Sequence, residues 1–528
     1  MELAHLIKAL SSPAAYTDSV AYVEVRQTHI SVVFLAGEHA YKIKKPVNLG
    51  FLDFTTLEKR RHFCMEEVRL NRRVAASVYL GVVPITHGGS SICVEGAGEP
   101  LEWAVKMVRL PDRATFLERL QSREIGEEQI RILAKRIASF HASAEAGPRI
   151  AGFGRLEVVA RNARENFEQA VLQIGVTVSR PVFDRLRSLT DEALTRLAPL
   201  IEQRAELGIP RDTHGDMRLD HVYLFPEAPP PSDIVIIDCI EFNERFRFAD
   251  PVADMAFVAM DLSFHGRRDL AGLFGDEYFR ASGDTDGRQL LPFYSSYRAA
   301  VRAKVEGFKL AEPEIPDAER SATLARSQAH WLLAFAELEQ PGRRPCLVLI
   351  AGLPGTGKST LARHLAERAG FHVVRSDEVR KELAGQAGVS SSGGGFGEGP
   401  YTPQWTERTY AECLRRAGDL LFQGERVIVD ANFRKERQRQ AFLEMGQRMG
   451  VSPVFLLCRA NEETVRHRLR NRLGDMSDAN WGVYQHLSAQ WEKVESQTER
   501  LTKEIHMDGG EEEDLAGVVD VLEALGLA

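Results

Sequence analysis

The 528 residues exceed what one hydrophobic core usually serves, so two or three domains are expected. With 44% hydrophobic residues, 27% charged residues and a net charge of −8, the chain reads as an ordinary soluble protein, not a general nucleic-acid or membrane-surface binder. Six scattered cysteines without C-x-x-C spacing suggest neither a disulfide framework nor a zinc site, and no apolar stretch approaches the roughly 18–20 residues of a membrane span. The N-terminal MELAHLIKAL lacks a basic region and a long apolar core, so no secretory signal and a cytoplasmic location are expected.

The first ~110 residues read as β-rich, with alternation in Val23–Arg26 and Ser31–Leu35, a turn at Gly37-Glu38, and a further run at Ala40–Lys44. Thr55 with Glu58 three residues on is a capping-box pattern, which predicts that a helix opens there. Lys42 and Lys44 share one strand face by period-2 alternation, so either could reach nucleotide phosphates, with Glu66 or Glu67 on the helix as ion-pair partner. Residues 111–340 are mostly helical by period, interrupted by strand-and-loop segments at Thr213–Phe225 and Ile234–Phe242. The first holds His214-Gly215-Asp216-Met217-Arg218-Leu219-Asp220-His221, the second Ile236-Ile237-Asp238-Cys239-Ile240-Glu241. A loop aspartate followed by a second after a β-run is how a kinase-type site presents a base and then a metal ligand.

The order Lys, Glu, H-G-D, I-D resembles the aminoglycoside phosphotransferase family over roughly residues 20–335, most clearly at THGDMRLDHVYLF and IVIIDCIEFNERFRFADPVADMAF. The resemblance implies a bilobal, protein-kinase-like α/β domain over residues 1–340, with an N-lobe of about 1–110 and a C-lobe of about 111–340. It implies Asp216 as catalytic base and Asp238 as Mg²⁺ ligand, with Lys42, Lys44 and Glu67 serving the nucleotide. One position departs: the family pattern H-G-D-x-x-x-x-N wants asparagine where this chain has His221. Imidazole suits Mg²⁺ poorly and Mn²⁺ better, so His221 is read as a metal ligand with Mn²⁺ as the cation it would tolerate. A nucleotide-binding scaffold without catalysis stays open at this point, and no glycine-rich loop lies between Val23 and Leu35.

Pro341-Gly342-Arg343-Arg344-Pro345 marks a boundary, after which the apolar runs Cys346–Ala351, His372–Arg375, Arg426–Asp430 and Val454–Cys458 alternate with helical patterns. Residues 341–528 therefore predict a doubly wound parallel-sheet domain. The low-complexity Ser390–Gly399 predicts a mobile loop. Gly352-Leu353-Pro354-Gly355-Thr356-Gly357-Lys358-Ser359 satisfies G-x-x-x-x-G-K-[ST] between an apolar run and a helical pattern, Ser359–Ala369, stopped by Gly370. Its backbone N–H groups and the helix N-terminus would cradle phosphates, Lys358 would neutralise them, Ser359 would reach Mg²⁺, and Thr360 is counted with the nucleotide-binding set. Asp377 after the second run could take a proton from a substrate hydroxyl, and Asp430 ending the third could hold the Mg²⁺ shell. Arg466, Arg468, Arg470 and Arg472 lie on one helical pattern, as a set of groups able to close over a transferring phosphoryl group.

The segments AGLPGTGKST, RSDEVRKEL, TYAECLRRAGDLLFQGERVIVDANF and RHRLRNR resemble the P-loop kinases related to zeta toxins, polynucleotide 5′-kinases and gluconate kinases, over most of residues 346–505. The resemblance implies Asp377 as general base, Arg380 as a substrate anchor, and a lid whose working arginines are Arg466 and Arg472. The leading expectation is an ATP- and Mg²⁺-dependent phosphotransferase acting on a hydroxyl-bearing small molecule, with no nucleic-acid or membrane partner. Two others stand beside it: an ATP-binding regulatory protein whose degenerate first domain gates the second, and a polynucleotide-end kinase, disfavoured by the acidic balance.

Overall fold

The computed structural model describes residues 2–17, 20–88, 91–311, 315–386, 402–471, 480–509, 511–524 and 526–527. The chain divides into two compact units, one made of residues 1–161, 196–263 and 267–294, the other of residues 162–195, 264–266 and 295–528. Among the described residues no helix is long and apolar enough to cross a membrane.

The first unit is built on a six-stranded antiparallel sheet of β1 (Val23–Gln27), β2 (Ser31–Ala36), β3 (His39–Lys44), β4 (Tyr79–Gly88), β5 (Ser91–Val94) and β6 (Pro100–Val108), in the order β1-β2-β3-β6-β4-β5. Alternation along β3 decides what each side chain meets. Tyr41 and Ile43 join the core that includes Leu6 and Leu10. Ala40 packs on the opposite face with Cys64 and Val68 of the helix Leu57–Ala75, so Lys42 and Lys44 point toward that helix as well. The helix is capped by Thr56, not Thr55: Thr56 Oγ1 accepts from the Lys59 N–H at 3.2 Å. Thr55 is drawn back instead onto Asp53, to which its N–H and hydroxyl both donate, at 3.0 and 2.6 Å. Two small ladders follow. β7 (Arg211–Asp212) pairs antiparallel with β10 (Phe248–Ala249), and β8 (Val222–Leu224) pairs antiparallel with β9 (Ile234–Ile236). They hold the loop His214–His221 and the segment that begins at Asp238.

The second unit carries a five-stranded parallel sheet of β11 (Cys346–Ala351), β12 (His372–Arg375), β13 (Arg426–Asp430), β14 (Ser452–Arg459) and β15 (Thr502–His506), in the order β12-β13-β11-β14-β15. β11 and β13 are buried at every residue, as strands covered on both faces must be, which is why β11 and the Val427–Val429 centre of β13 read as unbroken apolar runs. β15 escaped the sequence pattern because Thr-Lys-Glu-Ile-His buries only Ile505, as an edge strand can. The helices Arg180–Glu206 (in its first half) and Asp317–Leu338 pack with this unit, where Trp331 meets Phe167 and Phe183 at ring-centroid distances of 6.4 and 6.2 Å. The Pro341–Arg343 turn is short, and the backbone of Ala329 lies so close to Gly450 that a Cβ there would meet the Ala329 carbonyl oxygen at 2.5 Å. Packing thus joins residues 295–338 to the P-loop unit. Ser390–Gly399 lies outside the described residues.

Candidate functional site

The phosphate loop spans the turn between β11 and the helix Lys358–Ala369. Gly352, Gly355 and Gly357 have φ of +151°, +84° and +91°, values that side chains resist. A Cβ on Gly352 would also lie 2.7 Å from the Cys458 carbonyl oxygen. Within the loop, Thr356 donates through N–H and hydroxyl to the Leu353 carbonyl, at 3.3 and 2.9 Å, while Pro354 contributes no N–H. Lys358, Ser359 and Thr360 open the helix, whose first N–H groups have no intrahelical acceptor.

Asp430 ends β13 in register with Ile350 on one side and Arg375 on the other. Its carboxylate is buried, with the Ser359 hydroxyl beside it and Arg375 Nε 3.4 Å from Oδ2. Burial raises this carboxyl above the ordinary range, against the opposing pull of Lys358, Ser359 and Arg375. Oδ1 has no hydrogen-bond partner among the described residues. A serine hydroxyl beside an unpartnered carboxylate oxygen is a donor set that suits an oxygen-seeking cation such as Mg²⁺.

Asp377 is the second residue of the helix Ser376–Gln386, directly after β12. Because β12, β13 and β11 are neighbours, Asp377, Asp430 and the phosphate loop stand in a row along the carboxyl edge of the sheet. Arg380 Nη1 donates to Asp377 Oδ1 at 2.8 Å from a largely buried position. Nearby along β13's end, the Tyr410 hydroxyl accepts from the Phe433 N–H at 3.0 Å and reaches Asn432 Oδ1 at 3.3 Å.

The arginines of the helix Glu462–Arg470 separate. Arg466 donates to Glu462 at 2.7 Å and lies over the Trp481 ring, 4.3 Å from its centroid. Arg472 lies outside the described residues. Arg468 is the one beside the loop: its Nη1 is buried, has no hydrogen-bond partner among the described residues, and would lie 3.4 Å from a Cβ on Gly357.

In the first unit the two lysines of β3 meet one carboxylate. Glu67 takes Lys42 at 2.9 Å and Lys44 at 2.8 Å, and Lys42 reaches on to Asp238 at 2.5 Å while Lys44 reaches Glu241. The result is an alternating chain Asp238–Lys42–Glu67–Lys44–Glu241. Burial disfavours both ammonium groups, but Asp238, Glu67 and Glu241 raise the Lys42 pKa well above its ordinary value, and Glu241 with Glu67 holds Lys44 charged too. Glu66 points elsewhere, onto Arg69 at 2.7 Å. Asp238 has φ of +66°, tolerated by aspartate and secured by its N–H on the Tyr79 hydroxyl (3.1 Å) and the Cys239 N–H on Asn71 Oδ1 (2.9 Å). Burial alone would raise the Asp238 carboxyl; the Lys42 ammonium above all, with the Arg218 guanidinium, outweighs it and holds it far below the usual range.

The His214–His221 loop is folded around Asp254, a buried carboxylate that accepts the N–H groups of His214 (2.9 Å) and Gly215 (2.8 Å) and contacts His141 Nε2 at 3.1 Å. Asp216 lies 3.3 Å from Arg218 Nε, and His221 Nε2 is 3.7 Å from Asp238 Oδ2. Asp216, His221 and Asp238 are therefore brought together.

Residues 347–495 match the protein family described as AAA domain. Over 468 residues the chain is 33% identical to the uncharacterized protein Rv2004c of Mycobacterium tuberculosis (strain ATCC 25618 / H37Rv), covering 89% of this chain and 90% of that one; a Mycobacterium bovis protein matches equally. The chain belongs to their family. A shorter match, 32% identity over 111 residues, links 20% of this chain to 46% of an adenylyl-sulfate kinase of Pseudomonas entomophila. Among solved structures, a gluconokinase from Sinorhizobium meliloti aligns over 35% of this chain and 97% of its own, with 18% identity and a TM-score of 0.26. A sugar kinase from Janibacter aligns over 34% and 95%, with 16% identity and a TM-score of 0.27.

The sequence assigns no role to three side chains at these sites, Asp254, Arg218 and Tyr79, and does not single out a fourth, Arg468. Asp254 had a signal: a carboxylate among the buried apolar residues of the helix Pro251–Phe264 must find partners. Arg218 and Tyr79 had none, because their roles come from which loop meets which strand. Arg468 was visible only as one arginine among four, and the rotation of its helix against the phosphate loop singles it out.

Proposed function

We propose that the protein is an ATP-dependent phosphotransferase that moves the γ-phosphoryl group to a hydroxyl of a small molecule, with this chemistry in the P-loop domain of residues 341–528. The observation that carries the reading is the row of Asp377, Asp430 and the phosphate loop along one sheet edge. Asp377 takes the proton of the acceptor hydroxyl as its oxygen bonds to phosphorus and the bond to ADP breaks. Arg380, held on Asp377, orients the acceptor. Lys358 and Arg468 balance charge on the phosphate oxygens, and Ser359 with Asp430 holds Mg²⁺, which when bound neutralises those oxygens further. The AAA-domain match and the local identity with an adenylyl-sulfate kinase support phosphoryl transfer without fixing the acceptor.

Residues 1–340 are read as a second, kinase-like domain. The Lys42–Glu67 pair and the meeting of Asp216, His221 and Asp238 support this reading, with Asp216 as base and Asp238 as the metal-holding carboxylate. The protein is further read as cytoplasmic.

The test is to incubate the protein with ATP, Mg²⁺ and a panel of sugars, aminoglycosides, nucleosides and oligonucleotide ends, and to follow a mass gain of one phosphate. Asp377→Asn should cut turnover by about 10²–10⁴ while ATP binding persists. Turnover within about a factor of two of the unaltered protein would remove Asp377 from the chemistry.

A further inference from the structure

The family pattern that the first unit resembles places an amide oxygen where this chain has His221, and the surroundings of that imidazole show what takes its place. His221 Nδ1 lies 2.9 Å from the Asp216 carbonyl oxygen, an acceptor only, so Nδ1 carries the proton and Nε2 the lone pair. That lone pair is taken: Arg218 Nη2 donates to Nε2 at 2.6 Å. The same guanidinium lies 3.3 Å from Asp216 Oδ2 through Nε and 3.2 Å from Asp220 Oδ2 through Nη1. Arg218 is thus enclosed by two carboxylates and an imidazole nitrogen, with Asp238 Oδ2 3.7 Å beyond the ring. Its side chain is 17% exposed. Burial works against the charge, but Asp216, Asp220, Asp261 and Asp238 together keep Arg218 protonated at any ordinary pH.

The donor set of a second Mg²⁺ is therefore absent here. Mg²⁺ asks for oxygens in octahedral array, whereas His221 presents nitrogen, and that nitrogen already accepts from a fixed cation. A planar guanidinium has donors pointing in several directions at once and fits this mixed set of acceptors. It also leaves N–H groups able to meet phosphate oxygens, which a guanidinium binds through short charge-assisted hydrogen bonds.

We infer that the first unit binds one divalent cation with its nucleotide, at Asp238, and that the Arg218 guanidinium stands in for the second, anchored by His221 and Asp216. The inference rests on the kinase-like reading of residues 1–340 proposed above. It accounts for His221 as the acceptor that holds Arg218 in place, not as a metal ligand, and it makes the asparagine-to-histidine departure part of a working site.

Mn²⁺ serves as the probe, because its electron paramagnetic resonance signal counts bound ions without any turnover. In the full chain at saturating ATP, Asp238→Ala should remove one bound Mn²⁺ per chain. Removal of two would overturn the inference while leaving the kinase-like reading in place; removal of none would overturn both. His221→Asn alone should not add an ion, since Arg218 still fills the position, whereas His221→Asn combined with Arg218→Ala should add one Mn²⁺. Failure of the double variant to gain an ion, while it keeps the thermal transition of the unaltered protein, counts against the replacement. Arg218→Gln should weaken Mn²⁺-ATP binding at this site by about tenfold or more, and unchanged affinity would remove Arg218 from phosphate binding. If an Arg218 variant fails to fold, the unaltered chain still decides: two bound Mn²⁺ are expected, one at Asp238 and one at Ser359 and Asp430, and a third that is lost together with the first in Asp238→Ala would overturn the inference.

Discussion

Arg468 Nη1 sits against Gly357, 3.4 Å from where a Cβ on that glycine would stand, and among the described residues no acceptor satisfies it. A buried guanidinium N–H without an acceptor is costly, so the position makes sense when phosphate oxygens fill the loop. Arg468→Ala should lower phosphotransfer by about 10²–10³, the loss typical for removing one donor to developing charge. Arg466→Ala should change it little, because Arg466 is engaged with Glu462 and Trp481. Steady-state kinetics on the two variants checks the order, and a larger loss from Arg466→Ala would reassign the lid.

Lys358→Ala removes the charge-assisted contact at the start of the loop helix. Measured by calorimetry in a chain that also carries Asp238→Ala, ATP binding should weaken by about 2–4 kcal/mol. Equal affinity with and without Lys358 would contradict a P-loop role for this segment.

Lys44, Glu67 and Glu241 are each buried, and Lys44 alone stands between the two carboxylates at its end of the chain of charges. Lys44→Met leaves both carboxylates without that cation, at a cost of about 3–5 kcal/mol. Urea unfolding should show the transition of the first unit moved to lower denaturant, with the second unit's transition in place. Adding Glu241→Gln should recover part of the loss, because one uncompensated charge is then gone.

His214 is fully buried, with Nε2 on the Ile237 carbonyl (2.9 Å) and Nδ1 accepting from the Asp216 N–H (3.3 Å). Burial lowers its pKa to about 4 from 6.5, against the pull of Asp254. The unfolded chain therefore binds the proton first, and stability present above pH 6.5 is lost as pH falls toward 4, by up to about 3 kcal/mol. Thermal unfolding followed from pH 7 to pH 4 should show a smaller decline in His214→Gln than in the unaltered protein. An identical decline would mean that other groups account for the acid sensitivity.

The sequence by itself determined the phosphate loop, its strand and its helix, because these rest on contiguous residues: glycines that permit positive φ, an apolar run, and a cap at Gly370. It also determined that Lys42 and Lys44 share a strand face, a consequence of period-2 geometry alone. It pointed to Glu67 only as one of two candidates, since a helix presents adjacent residues 100° apart and the packing angle chooses between them. Only the tertiary structure decided that Arg468 faces the loop, that Arg218 fills the space beside His221, and that Asp254 folds the His214–Asp216 turn. Each of these depends on contacts between segments distant in sequence. The same holds for the helices of residues 295–338, which pack with the second unit through Trp331 and the backbone contact at Gly450. Local pattern fixes which face of an element is apolar; which partner covers that face is set by packing, and no periodicity records it.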